Sequence, residues 1–295
     1  MLNFSNSTEE LLNWEIAQEY ELFIHVKRDD LIHPIVSGNK WRKLHLLFDY
    51  AIKNKYDEIV TFGGAYSNHL VATACAGNIF GIKTIGIVRG DEYKSLNLQL
   101  SLCKQYGMEL HFVSREAYSN KKKLSSRFSK NNNLIIDEGG RHPLAIEGAK
   151  SIIDELKNEY DFIILPVGTG TTLEGIIKGI KERKLKTKII AFSALKENKD
   201  DYERINPIEN SIWWIDEKTF GGFGKYSKEL VQFSNQFVKE TRILIDPIYQ
   251  AKMYYGLEQM IKQNYFNKND KILCLQTGGN LGFYTNKMNK LIAQL

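Results

Sequence analysis

The sequence is short of the residues that bind metals and make crosslinks. Its three cysteines, Cys75, Cys103 and Cys274, are odd in number, far apart and flanked by apolar residues, and no CxxC occurs. That pattern argues against a disulfide framework and for buried free thiols, the state suited to a reducing compartment. The six histidines include no pair at the three-to-five spacing of a zinc site, which sets metal catalysis aside. Long apolar runs are missing as well. No segment approaches the length of a membrane span, and the opening MLNFSNSTEE has no basic stretch leading into an apolar one, so a cytoplasmic protein is expected. Charge of one sign is scarce: 40 basic against 35 acidic residues leave a net +5 spread along the chain. This is too mild to argue for nucleic acid and compatible with small anionic ligands. There is no internal repeat, heptad run or long low-complexity tract.

What remains is a chain of 295 residues, 43% of them hydrophobic, enough for real cores and for roughly two domains. Short apolar, β-branched runs alternate with helical periods of ten residues or more. Strands are predicted at 22–27, 58–62, 84–88, 109–113, 134–137, 161–167, 188–192, 211–215, 243–246 and 271–275. Helices are predicted at 67–80, 96–106, 116–130, 143–159, 172–183, 225–240, 249–266 and 281–294, with Pro143 well placed at a first helical position. The alternation predicts an α/β fold of open parallel sheets covered on both faces.

In such sheets ligands gather at the carboxyl ends of strands, so the Gly-rich strand-to-helix corners are the candidate sites. Three stand out. Gly63-Gly64-Ala65-Tyr66-Ser67-Asn68-His69 places three polar side chains at a helix amino end, as a ligand loop or as simple N-caps. Gly168-Thr169-Gly170-Thr171-Thr172 puts hydroxyls and backbone N–H groups at a helix start, the makings of a phosphate nest. It is no Walker A loop, since no Gly-Lys-Ser/Thr follows. Nor is it a dinucleotide fingerprint, because Leu173 stands where the third glycine belongs and the strand ending near Phe192 carries no acid for a ribose. That break argues against a nicotinamide oxidoreductase and for a phosphate of mononucleotide size. The third corner, Gln276-Thr277-Gly278-Gly279-Asn280, is the weakest when taken alone.

Ahead of all three lies Ser37-Gly38-Asn39-Lys40-Trp41-Arg42-Lys43. Apolar residues recur at Trp41, Leu44, Leu47, Phe48 and Ala51, a helical period, with Asn39 as the expected N-cap. Lys40 therefore stands at the amino end of a helix, where the partial positive charge favours anions. A solvated basic face is one reading. The other is a lysine whose neutral form is made accessible for Schiff-base chemistry by neighbouring cations, or a site for a bound anion.

The pieces KRDDL, SGNKWRKL, GGAYSNHLVATA, GTGTT, ILIDPIYQAKMYYGL and LQTGG, spanning residues 27–279, resemble the pyridoxal-phosphate enzymes of the tryptophan synthase β-like kind (fold type II). Within them the chain is similar to the 1-aminocyclopropane-1-carboxylate deaminase / D-cysteine desulfhydrase group. The resemblance implies two α/β domains, a small one over 43–154 and a large one combining 1–42 with 155–295, and a homodimer. It implies pyridoxal 5'-phosphate linked to Lys40, with Lys40, Ser67 and Tyr249 as catalytic residues. Lys43 and the corner Gly168, Thr169, Gly170, Thr171 and Thr172 would hold the phosphate, Asn68 the ring hydroxyl and Thr277 the ring nitrogen. Ser67, Asn68, His69, Phe223 and Tyr249 would surround a small amino-acid substrate.

The chain departs from the deaminase pattern where Gln250 stands in place of a glutamate, and where Ser67-Asn68-His69 replaces Ser-Asn-Gln. Both departures favour α,β-elimination from D-cysteine over cyclopropane opening. Phe223 occupies a position that is tyrosine in both subgroups, with Tyr226 able to serve instead. A dehydratase or racemase acting on D-serine would use the same machinery, and a non-catalytic phosphate-ligand binding protein is the reading from a different class.

Overall fold

Two parallel sheets carry the chain, and their membership follows sequence distance in opposite ways. The computed structural model describes residues 2–36, 38–90, 96–129, 132–193, 212–215 (backbone only), 224, 225 and 227–279. The four-stranded sheet is contiguous in sequence: β3 (Glu58–Gly64), β4 (Lys83–Arg89), β5 (Glu109–Val113) and β6 (Asn133–Ile136), in spatial order β5-β4-β3-β6. The six-stranded sheet draws on both ends: β1 (Glu9–Leu11), β2 (Phe23–Lys27), β7 (Phe162–Val167), β8 (Lys188–Ser193), β9 (Ile212–Ile215) and β10 (Lys271–Leu275), in the order β1-β2-β10-β7-β8-β9. Only β1, antiparallel to β2, breaks the parallel pattern. β10 lies between β2 and β7, with Leu273 opposite His25 on one side and Ile163 on the other.

Helices cover these sheets because their apolar stripes demand it. In chain order they are α1 (Glu15–Glu19), α2 (Asn39–Lys53), α3 (Asn68–Phe80), α4 (Leu98–Gln105), α5 (Arg115–Ser119), α6 (Lys121–Phe128), α7 (Pro143–Asp154), α8 (Thr171–Glu182), α9 (Lys228–Thr241) and α10 (Gln250–Lys262). β7 is buried along its whole length, as a central parallel strand should be. One face of its sheet packs Ile164, Phe192, Phe237, Tyr254 and Leu257, and the other packs Ile163, Leu165, Ile176 and Ile189. Trp41, Leu44, Leu47, Phe48 and Ala51 of α2 are all buried, as the period predicts, against Ile59, Ala72 and Ile136. α2, α7 and α8 form one stack. At Gly148 a Cβ would stand 2.0 Å from the Arg42 carbonyl oxygen, so α2 and α7 touch backbone to backbone there.

The structure departs from the sequence expectations at three places. Residues 243–246 pair with no strand among the described residues, and β10, the strand that leads to Gln276 beside Leu244, is already paired on both sides. Instead Gln276 Nε2 donates to the Leu244 carbonyl at 2.7 Å. The expected helix 116–130 is two helices, broken at Asn120, whose Oδ1 caps α6 by accepting from Lys123 N. Third, β1 and α1 arise in a stretch that shows neither a strand nor a helix pattern. The helix expected at 281–294 lies outside the described residues. The three cysteines are free and buried, as expected, and no helix among the described residues is long and apolar enough to cross a membrane.

Candidate active site

The carboxyl ends of β3, β6, β7 and β10 meet the amino end of α2. Gly38 makes that meeting possible. Its φ is +61°, and a Cβ on it would lie 1.9 Å from the Thr277 carbonyl oxygen. Gly38, and not Asn39, is the N-cap of α2, so the expected capping role of Asn39 is corrected. The reason is that Asn39 is spent on three other contacts. Its N–H donates to Thr277 O at 3.3 Å, its Nδ2 to Thr172 Oγ1 at 3.2 Å, and its Oδ1 accepts from Lys40 Nζ at 2.6 Å. One side chain thus ties the second and third corners to the lysine. Gly38→Ala is expected to lower stability by at least about 2 kcal/mol, from left-handed strain and the carbonyl clash together. It should also weaken cofactor retention. Thermal unfolding and a cofactor titration check both, and an unchanged melting temperature would refute the close approach.

Lys40 is half-buried, and burial lowers its pKa to about 8, with the carboxylate of Asp246 opposing the shift. Lys43, one turn on, is 4% exposed. Burial and the neighbouring Lys40 hold its pKa well below the ordinary value. Its Nζ donates to Gly139 O at 2.5 Å, and it makes no ion pair among the described residues. Arg42 points the other way. It is fully buried, forked between Asp29 (2.8 Å) and Glu155 (2.8 Å) and lying over the Phe4 ring, so the solvated-face reading fails for it.

At the first corner Ser67 is the N-cap of α3, accepting from Leu70 N at 3.3 Å. Asn68 Nδ2 donates to Gly279 O at 3.2 Å, joining α3 to the third corner, while its Oδ1 finds no partner among the described residues. His69 is buried, with Nε2 at 2.9 Å from Thr61 Oγ1. At the second corner Gly170, with φ +82°, begins α8 without a side-chain cap. The first-turn N–H groups there are the donors that a helix leaves over, and Thr171 Oγ1 is buried without a partner among the described residues.

At the third corner Gln250 Nε2 donates to Thr277 Oγ1 at 2.7 Å and to Leu275 O at 3.2 Å. Tyr249 packs beside Gly168, whose Cβ would meet its ring at 3.4 Å. Burial raises its hydroxyl pKa, helped by Asp246 and Glu138. Phe223 lies outside the described residues.

Two contributors were not foreseen. Asp246 accepts from the N–H groups of Ile248, Tyr249 and Gln250 at 2.9, 2.9 and 3.1 Å, fixing the turn that presents Tyr249 and Gln250. Burial raises its pKa to about 6 against those three bonds. The second is a fourth corner, Glu138-Gly139-Gly140 after β6. Gly139 takes Lys43 and abuts Thr169, and Gly140 abuts His69. The signal was there in a double glycine directly after an apolar strand.

Two lysines within reach of each other and in no ion pair among the described residues, beside a helix amino end and several unpartnered buried polar atoms, suit a dianionic phosphate and an aldehyde-bearing ring. Fold and site together suit an enzyme that uses a phosphorylated aldehyde cofactor. The sequence model of the family described as pyridoxal-phosphate dependent enzyme matches residues 14–278. The chain belongs to that family, and its cofactor is pyridoxal 5'-phosphate. It is 30% identical to the bifunctional D-cysteine desulfhydrase/1-aminocyclopropane-1-carboxylate deaminase, mitochondrial, of Arabidopsis thaliana, over 88% of this chain and 73% of the relative. It is 21% identical to the D-cysteine desulfhydrase of Serratia proteamaculans, over 87% of this chain and 86% of that one. A crystal structure of an ACC deaminase homologue superposes with TM-score 0.85 at 23% identity, covering 98% of this chain and 94% of the other. The fold is therefore that of the fold type II enzymes.

Proposed function

We propose that the protein is a D-cysteine desulfhydrase-like lyase that removes the α proton and the β substituent of a small amino acid. With D-cysteine and water the products are pyruvate, ammonia and hydrogen sulfide. The observation that carries this reading is the Gln250–Thr277 pair. Leu275 O can only accept, so the Gln250 amide nitrogen faces it and also donates to Thr277 Oγ1. The Thr277 hydroxyl proton is therefore free to be donated elsewhere, and no carboxylate joins the pair among the described residues. A donor placed at the ring nitrogen leaves that nitrogen its lone pair and makes the ring a weaker electron sink. Expelling hydrosulfide from the β carbon of the substrate would ask little of such a sink, whereas opening a cyclopropane would ask more of it.

When bound, pyridoxal phosphate supplies an aldehyde that links to an amine and a conjugated ring that withdraws electrons from the α carbon. The protein does the rest. Lys40 Nζ, steadied by Asn39 Oδ1, holds the cofactor and then takes the α proton as a general base, with Ser67 Oγ or the Tyr249 hydroxyl sharing the transfer. Lys43 and residues Gly168 to Thr172 would hold the phosphate, Asn68 the ring hydroxyl and Thr277 the ring nitrogen. The amino end of α3, through Ser67, Asn68 and His69, suits the substrate carboxylate.

Domains of 43–154 and of 1–42 with 155–295 are proposed on the two sheets' strand membership. A cytoplasmic homodimer is proposed on the family resemblance. Because the Arabidopsis relative is named for both activities, 1-aminocyclopropane-1-carboxylate is the second reading for the substrate. Steady-state assays with both compounds decide between them: D-cysteine should show the higher kcat/KM, and faster ring opening would overturn the proposal.

A further inference from the structure

The proton inventory around His69 is settled by its neighbour. The Thr61 hydroxyl has one hydrogen, and at 2.9 Å it donates that hydrogen to the Ile136 carbonyl, which can only accept. Toward His69 Nε2, also 2.9 Å away, Thr61 is therefore the acceptor, and Nε2 carries a hydrogen. The ring is buried and faces the cations Lys43 and Lys40, both of which disfavour a second proton. It is neutral, so Nδ1 presents a bare lone pair. That lone pair is buried and has no partner among the described residues. A buried acceptor left this way is destabilising until a donor reaches it.

The nearest supply of donors lies across the fourth corner. Gly140 packs against the edge of the imidazole that bears Nδ1, with Lys43 Cβ next to the same glycine, and Gly139 O accepts from Lys43 Nζ. Beside a phosphate dianion, which favours its charged form, Lys43 is an ammonium with three hydrogens, and Gly139 takes one. We propose that His69 is a positioning residue for Lys43: when phosphate binds, His69 Nδ1, held in acceptor form by Thr61, takes a second hydrogen of the Lys43 ammonium and leaves the third for a phosphate oxygen. Gly139 O and His69 Nδ1 are both neutral. They aim the ammonium without cancelling its charge, which a carboxylate in either place would do, so the full positive charge remains for the dianion. Glutamine presents the same donor and acceptor as this tautomer of histidine, and leucine presents neither.

This inference rests on Lys43 being the phosphate contact, and its test does not use turnover. In nitrogen-15 spectra of the histidine-labelled full chain, with and without pyridoxal phosphate, His69 should be protonated at Nε2 only. Its Nδ1 resonance should move toward the hydrogen-bonded range when inorganic phosphate or cofactor is added. A ring protonated at Nδ1, singly or doubly, overturns the proposal without any variant having to fold.

Calorimetric titration of the cofactor-free protein with inorganic phosphate and with pyridoxal phosphate supplies the second readout. His69→Gln should bind within about threefold of the unaltered protein, and His69→Leu about tenfold more weakly. In a Lys43→Met background the leucine substitution should add nothing, because the residue acts through Lys43. A leucine effect of the same size in both backgrounds, or none in either, refutes the positioning role. Failure of the substrate reading shows separately, as absence of sulfide and pyruvate from D-cysteine while the binding pattern stands.

Discussion

Lys40→Ala is expected to fold, to lose the absorbance of lysine-linked cofactor and to lose about a thousandfold or more of its turnover, since one side chain supplies both attachment and proton transfer. Retention of full activity would dismiss the mechanism. The same lysine gives a test in the absence of cofactor. Burial lowers its pKa from 10.5 to about 8, so capture of a carbonyl reagent at residue 40 should rise through about pH 8. An ordinary lysine would rise near 10.5. The sign for stability follows. Between those two values the unfolded chain holds a proton that the folded one has released, so this residue's contribution to stability improves as pH rises from 8 toward 10.5. The alanine variant should lack that increment.

Arg42→Met is expected to remove about 3–5 kcal/mol of stability, because two carboxylates lose a guanidinium that is fully out of solvent. Asp29 accepts from Nε and Nη2 at 3.1 and 2.8 Å, Glu155 from Nη1 and Nη2 at 2.5 and 2.8 Å, and Ser151 Oγ accepts from Nη1 at 3.1 Å. Lys27 lies 3.2 Å from Glu155 and donates to Ser7 O, which leaves Asp29 as the carboxylate without a cationic partner among the described residues once Arg42 is gone, with the Ser7 hydroxyl still donating to it at 2.6 Å. The melting temperature should fall by roughly 10 °C. Arg42→Lys should fall between, since a point charge cannot fork between two acids. A loss below about 1 kcal/mol in denaturant titration would show the cluster to be replaceable by packing, as some buried ion pairs are.

Much of the site was legible because its parts are local patterns. An apolar β-branched run ending in glycine and then hydroxyl residues marks a strand-to-helix corner, and Gly168 to Thr172 is of that kind, while Gln276 to Gly279 follows its strand with the hydroxyl ahead of two glycines. What could not be read is what depends on partners far along the chain. Lys43 meets an acceptor 96 residues on, and Arg42 meets acids 13 and 113 residues away. No periodicity encodes such distances. Residues 243–246 have good strand composition and still form none, because pairing space beside β10 is decided by β2 and β7. β1 shows the reverse: Glu9-Glu10-Leu11 reads as polar chain, and pairing with β2 makes it a strand.

The place of β10 has a consequence for synthesis. The four-stranded sheet is complete once residue 136 has been made, whereas the six-stranded sheet has no strand to set between β2 and β7 until residues 271–275 emerge. Domains fold as their segments leave the ribosome, so the first sheet can form while the second waits on a gap. Thr277, directly behind β10, arrives with the strand that fills it. The nascent chain therefore presents Lys40 and Lys43 long before residues 271–277 can close the site around them.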